Sequence, residues 1–222
     1  MSPLRYFECY WVRSDLWMVD PQWREKLVRE IRRKLIHLTG ISVPISILIL
    51  GKAPTAKLIT IALIFAIILE YVRLNGQINL PEVRDQERNK VAGYFYYIIG
   101  SLLTVIFFQP MIAITAMLNL CLGDTISGIV GSVLDRSNVR ANCERINVKP
   151  FPIVVCMFLS CLVIGYFSSK VTLLPFEVYL AGAVGATVAD SVAINFNGKG
   201  FDDNLTIPLF SGVLMSLVLW LS

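Results

Sequence analysis

The strongest constraint on this chain is a series of seven apolar runs: Leu35–Leu50, Ala56–Val72, Val91–Phe108, Met111–Leu134, Phe151–Phe167, Glu177–Ile194 and Leu205–Leu221. A helix needs about 17–25 predominantly apolar residues to cross the hydrocarbon core of a bilayer. These runs are apolar all round, without the two-residue alternation of a membrane β-barrel. Only 16% of the residues are charged and 55% are hydrophobic, where a soluble domain carries about 25% charged residues. The expected fold is therefore all-α, a polytopic integral membrane protein with about seven transmembrane helices. Pro54, Pro81, Pro110, Pro150 and Pro175 fall between the runs, where a residue that cannot continue a helix ladder belongs. Pro44 and Pro208 lie inside runs and are candidate kinks.

Residues 1–34 form a polar arm ahead of the first run. Trp11, Trp17 and Trp23 are spread among its basic residues, a mixture that favours the headgroup layer. The expected division is thus an amphipathic, interfacial arm over 1–34 and a membrane domain over 35–222. Lys and Arg number eight in the arm and four, four and one in the second, fourth and sixth connections, seventeen in all. The first, third and fifth connections and the C-terminus hold two (Lys52, with Lys57 at the start of the second run), none, one and none. The positive-inside rule then puts the N-terminus in the cytoplasm and the C-terminus outside.

Ionisable residues inside such runs cost roughly 2.5–3.5 kcal/mol each on insertion scales, so each needs a reason. Glu70 lies one turn from Arg73, and a local ion pair accounts for it. Asp124 opens DTISGIVG, where Asp124, Gly128 and Gly131 share a helix face. Gly182, Ala186 and Asp190 form a second stripe of small residues ending in an acid. Asp202 and Asp203 sit side by side just before the last run. By the charge count all four aspartates lie toward the cytoplasmic side. Carboxylates converging there repel one another unless a cation compensates. Mg²⁺, which is bound through one or two carboxylates together with substrate phosphates, is the simplest such cation.

Basic groups flank the same side. Glu30, Arg33 or Lys34, and His37 share a helix face in EIRRKLIH. Arg84, Arg88 and Lys90 follow in one connection, and Arg136, Arg140, Arg145 and Lys149 in another. Basic groups beside a metal suit a polyphosphate. No P-loop, HExxH or serine nucleophile elbow is present. The five cysteines have no metal-ligand spacing and read as packing residues.

Three segments carry a resemblance: RKLIH (Arg33–His37), GDTISGIVG (Gly123–Gly131) and DDNLTIPL (Asp202–Leu209), with GATVAD before the last connection. In content and order they resemble the polyprenol kinase family, which includes dolichol and phytol kinases. The resemblance covers roughly Glu30 to the C-terminus. It departs in Cys143–Val154, where Lys149 stands for the family's lysine and the family's following Glu-Gly-Ser is missing.

The resemblance implies that residues 35–222 form a transmembrane kinase domain passing the γ-phosphate of CTP to the hydroxyl of an isoprenoid alcohol, with Mg²⁺. Asp124, Asp202 and Asp203 would hold the metal. Arg33, Lys34, His37, Gly123, Gly128, Lys149 and Asn204 would join them around the nucleotide. Asp124, Asp190 and Asp203 would be the catalytic carboxylates, Asp190 or Asp124 taking the hydroxyl proton. Asn204 would cap the last helix or meet a phosphate. The expected partners are the isoprenoid alcohol, a nucleoside triphosphate and membrane lipids, with no nucleic acid. An apolar acceptor cannot leave the membrane cheaply, at about 0.8 kcal/mol per CH₂, so the reaction is expected at the cytoplasmic interface. The acceptor's tail is expected in a groove left by the small residues of the fourth and sixth runs. A lipid cytidylyltransferase, which releases pyrophosphate, and a small transporter are the alternatives.

Overall fold

The computed structural model describes residues 23–76, 78, 90–133, 149–192, 195–196, 199–200 and 202–222. These form α1 (Trp23–Thr39), α2 (Ser42–Leu50), α3 (Lys52–Leu74), α4 (Gly93–Phe107), α5 (Pro110–Leu118), a π turn (Asn119–Gly123), α6 (Asp124–Val133), α7 (Phe151–Thr172), α8 (Phe176–Ser191) and α9 (Asp203–Leu221). The only strands among the described residues are two-residue segments, β1 (Asn195–Phe196) pairing antiparallel with β2 (Lys199–Gly200). Each of the seven apolar runs is built around helix.

Among the described residues, five helical segments are long and apolar enough to cross a membrane: Glu30–Leu50, Lys52–Leu74, Pro110–Val133, Phe151–Thr172 and Asp203–Leu221. The third and sixth runs make shorter helices. At 1.5 Å per residue, α4 and α8 reach roughly 22–24 Å, against a hydrocarbon core of about 30 Å. Ile61, Ile64, Phe65 and Ile68 of α3 and Val163 and Phe167 of α7 point outward and are exposed. Apolar surface on this scale suits contact with lipid and is rare on a soluble monomer.

The first run is broken. Its chain leaves α1 at Thr39, turns through Gly40 and Ile41, and resumes as α2. Pro44 falls in the first turn of α2, where its missing N–H costs nothing. α1 crosses the expected 34/35 boundary without interruption, so the end of the arm is continuous with the membrane domain. Trp11, Trp17, Cys9, Cys143, Arg84, Arg88, Arg136, Arg140 and Arg145 lie outside the described residues. Cys121, Cys156 and Cys161 are free thiols.

The small-residue stripes are filled. A Cβ on Gly128 would come 2.7 Å from Lys34 Cε, and one on Gly185 would come 2.6 Å from the Phe210 carbonyl oxygen. A Cβ on Gly182 would meet the Met215 sulfur at 2.7 Å. The stripes therefore let α1 approach α6 and α9 approach α8, as small residues do between membrane helices. The expected groove for a lipid tail at these faces is absent, because neighbouring helices occupy it. Around these contacts lies a core that includes Met117, Leu120, Met157, Val178, Ala183, Ile207 and Met215.

Candidate functional site

Three carboxylates converge from three helices. Asp124 opens α6, Asp190 lies in the last turn of α8, and Asp203 opens α9. Each offers an oxygen, and these atoms lie within 4.8 Å of one another. Asp124 and Asp190 are 3% and 4% exposed, and Asp203 is half-buried.

The π turn just before Asp124 helps to aim it. Upstream, Asn119 donates to Ser211 Oγ of α9 at 3.0 Å. One widened turn later the chain presents Asp124 to α1 instead. Single π turns inside α-helices recur at functional sites because they shift side-chain direction in this way.

The cations come from α1 and from the segment before α7. Lys34, 1% exposed, donates to Asp124 Oδ2. His37 Nδ1 lies 3.4 Å from the same oxygen but makes no hydrogen bond. Arg33 pairs with Glu30 one turn back, and Glu30 lies 3.8 Å from Lys34 Nζ. Lys149 donates to Asp190 Oδ1 at 2.5 Å, and its own N–H bonds the Ser191 carbonyl at 3.0 Å. Burial alone would lower the Lys149 pKa, but Asp190, Asp203 and Asp124 outweigh it and raise the pKa above the ordinary lysine value. Lys149 thus stays charged through the neutral and mildly alkaline range.

Asp202 has a different place from its neighbour. It is the N-cap of α9, its carboxylate accepting from Asn204 N–H at 3.0 Å. Among the described residues the three-acid cluster contains Asp190 and omits Asp202, whereas the sequence reading assigned the metal to Asp124, Asp202 and Asp203. The reason is helical geometry, since the N-cap turns its side chain back onto the first-turn N–H groups. Asn204 is not the cap either. It is buried in the first turn, where its Nδ2 donates to the Gly93 carbonyl at 3.3 Å. Gly123 and Gly128 serve close packing: a Cβ on Gly123 would lie 2.9 Å from Cys161 Sγ of α7. Lys34, His37 and Lys149 are drawn toward the aspartates, whereas Arg33 is held by Glu30 of its own helix.

The donor set fits a hard divalent cation. Three carboxylates face two lysines, and Asp190 Oδ2 is buried without a hydrogen-bond partner. An unsatisfied buried carboxylate oxygen is costly. Oxygen ligands of this kind are what Mg²⁺ takes.

Glu70 stands apart from the cluster. It accepts two bonds from Arg73, at 2.8 and 2.6 Å, one from the Ala92 N–H at 2.9 Å and one from the Tyr94 hydroxyl at 2.5 Å. The expected local pair is present, and it also ties the end of α3 to the start of α4. Sequence reasoning missed Ala92 and Tyr94, because nothing local in the sequence marks contacts 22 and 24 residues away.

Comparison with known proteins adds one similarity. The chain is 26% identical over 193 residues to the uncharacterized protein RP860 of Rickettsia prowazekii (strain Madrid E), covering 81% of this chain and 90% of that protein. No family model and no solved structure matches.

Proposed function

We propose that this chain is an integral-membrane kinase that transfers the γ-phosphate of CTP to the terminal hydroxyl of an isoprenoid alcohol. The observation that carries the reading is the meeting of Asp124, Asp190 and Asp203 within 4.8 Å, ringed by Lys34, Lys149 and His37, in a chain otherwise built to face lipid. The reaction needs such a junction, because its donor is a polyanion and its acceptor an apolar chain. The positive-inside count supports a cytoplasmic face for the site.

Asp124 and Asp203 would hold Mg²⁺, leaving Asp190 Oδ2 free beside it. When bound, the ion supplies positive charge to the donor's phosphate oxygens. Lys149 and Arg33 add fixed positive charge beside the transferring group. Lys34 pairs with Asp124 and orients it. The alcohol oxygen attacks the γ-phosphorus, and the bond from that phosphorus to the β-phosphate's bridging oxygen breaks. CDP leaves, and the hydroxyl proton passes to a carboxylate. Asp190 Oδ2 is the best-placed acceptor, because its partner oxygen is already engaged by Lys149 while it has no partner. A general base of this kind contributes about 10²–10⁴-fold.

The test is radiolabel transfer from γ-labelled CTP to geranylgeraniol or dolichol by the purified protein. A prenyl monophosphate and CDP are expected. Pyrophosphate and a cytidylylated lipid would instead make it a lipid cytidylyltransferase. Full activity in both Asp124→Ala and Asp203→Ala would refute the assignment of the site.

A further inference from the structure

A second cavity opens beside the acid cluster, bounded by α1 and α2 on one side, α3 and α4 on the other and the start of α9 at one end. Its volume is about 650 Å³, within the roughly 300–1,000 Å³ range of pockets that enclose a small organic ligand. Its charged and amide side chains gather at one end, and elsewhere its polar groups are hydroxyls such as those of Ser46, Thr55 and Ser101. Arg33, His37, Tyr94, Asp202 and Asn204 line that end, two of them next to the cluster: His37 beside Asp124, and Asn204 next in sequence to Asp203. The body is lined by Val43, Leu58, Ile59, Ala62 and Ile98. Along α3 the lining runs from Leu69 back to Thr55, roughly 21 Å at 1.5 Å per residue.

Two polar atoms at the mouth are left unsatisfied. Asn204 Oδ1 and His37 Nδ1 are buried without a hydrogen-bond partner. The Asn204 amide is oriented by its Nδ2 bond to Gly93, so the free atom is the acceptor. Such an atom needs an O–H or N–H donor. A phosphate diester or an ionised fatty acid offers acceptors only, and it would also face Asp124 and Asp203. The guanidinium of Arg33 is already paired with Glu30. A hydroxyl is neutral, donates one bond and accepts others. It is the head group that satisfies this end without adding negative charge.

We propose that this cavity is the acceptor site, taking a single-chain primary prenyl alcohol with its hydroxyl on Asn204 and His37 and its chain along α3 and α4. The proposal rests on the kinase reading for the prenyl identity of the alcohol and the fate of its hydroxyl, whereas the fit of a single-chain alcohol to the cavity does not. The main competitor is a larger apolar groove of about 1,010 Å³ between α2, α5–α6 and α7, lined by residues such as Leu122, Ile126, Val155 and Leu159. Its polar side chains include Ser160 and Ser168, but none of Asp124, Asp190, Asp203, His37 and Asn204 lines it, so a hydroxyl held there would not face the carboxylates.

The experiment is photolabelling of the purified full-length protein, without nucleotide, by geranylgeraniol bearing a diazirine on its terminal isoprene unit. Label is expected on α3 and α4, competed by unlabelled geranylgeraniol and not by phosphatidic acid. Ala62→Trp, which fills the body from an exposed position, should weaken labelling about tenfold, the effect of a 1.4 kcal/mol loss. Asn204→Leu should erase the preference for the alcohol over the hydrocarbon lacking its hydroxyl. Label on α7 around Val155–Val163, or equal competition by phosphatidic acid, overturns the proposal. Cavity labelling without any product from CTP would uphold the site and reject the kinase. Product from CTP with label on α7 would do the reverse.

Discussion

At the scale of single residues, the decisive contrast is between two adjacent aspartates. Asp202 caps α9, and Asp203 joins the acid cluster. Serine is a competent N-cap and a poor metal ligand. Asp202→Ser should therefore keep transfer activity close to wild type, whereas Asp203→Ser should abolish it, both read by the CTP assay. Equal loss in the two variants would return Asp202 to the ligand set. A second residue-scale prediction concerns the buried pair of Lys34 and Asp124. Removing one partner of a buried pair leaves an uncompensated charge and costs about 3–5 kcal/mol. Lys34→Met should lower the thermal midpoint in detergent by that scale. The double variant Lys34→Met/Asp124→Leu should recover most of the stability and none of the activity, which separates the pair's structural part from its chemical one. Asp190→Asn should reduce turnover by about 10²–10⁴-fold and should also lower the thermal midpoint, because Lys149 loses its buried carboxylate partner.

At the scale of elements, the glycines of α6 and α8 set how closely the site's helices approach. Gly185→Ala is informative because two effects oppose each other. Alanine favours a helix interior over glycine by about 1 kcal/mol. Its Cβ would sit 2.6 Å from the Phe210 carbonyl oxygen, a backbone atom that cannot swing aside, and overpacking of this kind costs about 1–3 kcal/mol. The clash wins, so Gly185→Ala should be destabilising in thermal unfolding, and transfer should fall as α8 and α9 are pushed apart. The stripes were legible in the sequence as close-approach faces, since small residues four apart mark them. Which helix each face receives was not, because that depends on partners far along the chain. Pro208 makes a similar point. Its place inside α9 leaves the Asn204 carbonyl without the N–H four residues on, and that carbonyl abuts Gly100 of α4.

At the scale of the whole molecule, the site is a junction of α1, α6, α8 and α9, and cation binding should tie these helices together. A ligand that binds only the folded state stabilises it by about 2.7 kcal/mol at one hundred times its Kd. Mg²⁺ should raise the thermal midpoint of the wild-type protein, and the rise should vanish in Asp203→Ala. The expected topology is tested by reporter fusions. A fusion after Ser222 should be active only for a reporter that works outside the cytoplasm, and one at the N-terminus only for a cytoplasmic reporter. The opposite pattern would move the acid cluster to the other face, away from cytoplasmic CTP.

The sequence by itself determined the helical, lipid-facing build, the approximate places of the apolar runs, and the acids and bases that do not belong in them. These are local properties: hydrophobic run length, proline positions and isolated charge are read without knowing any partner. It also marked Asp124, Asp190 and Asp203, yet it could not separate Asp202 from them, because two neighbours in a sequence differ in direction only once the helix start is fixed. The tertiary structure decided the rest. It broke the first run at Gly40, filled the glycine faces with neighbouring helices, and brought Lys34 from α1 and Lys149 from the segment before α7 onto carboxylates 90 and 41 residues away. Contacts over such separations follow from how helices pack, and no single stretch of chain encodes that.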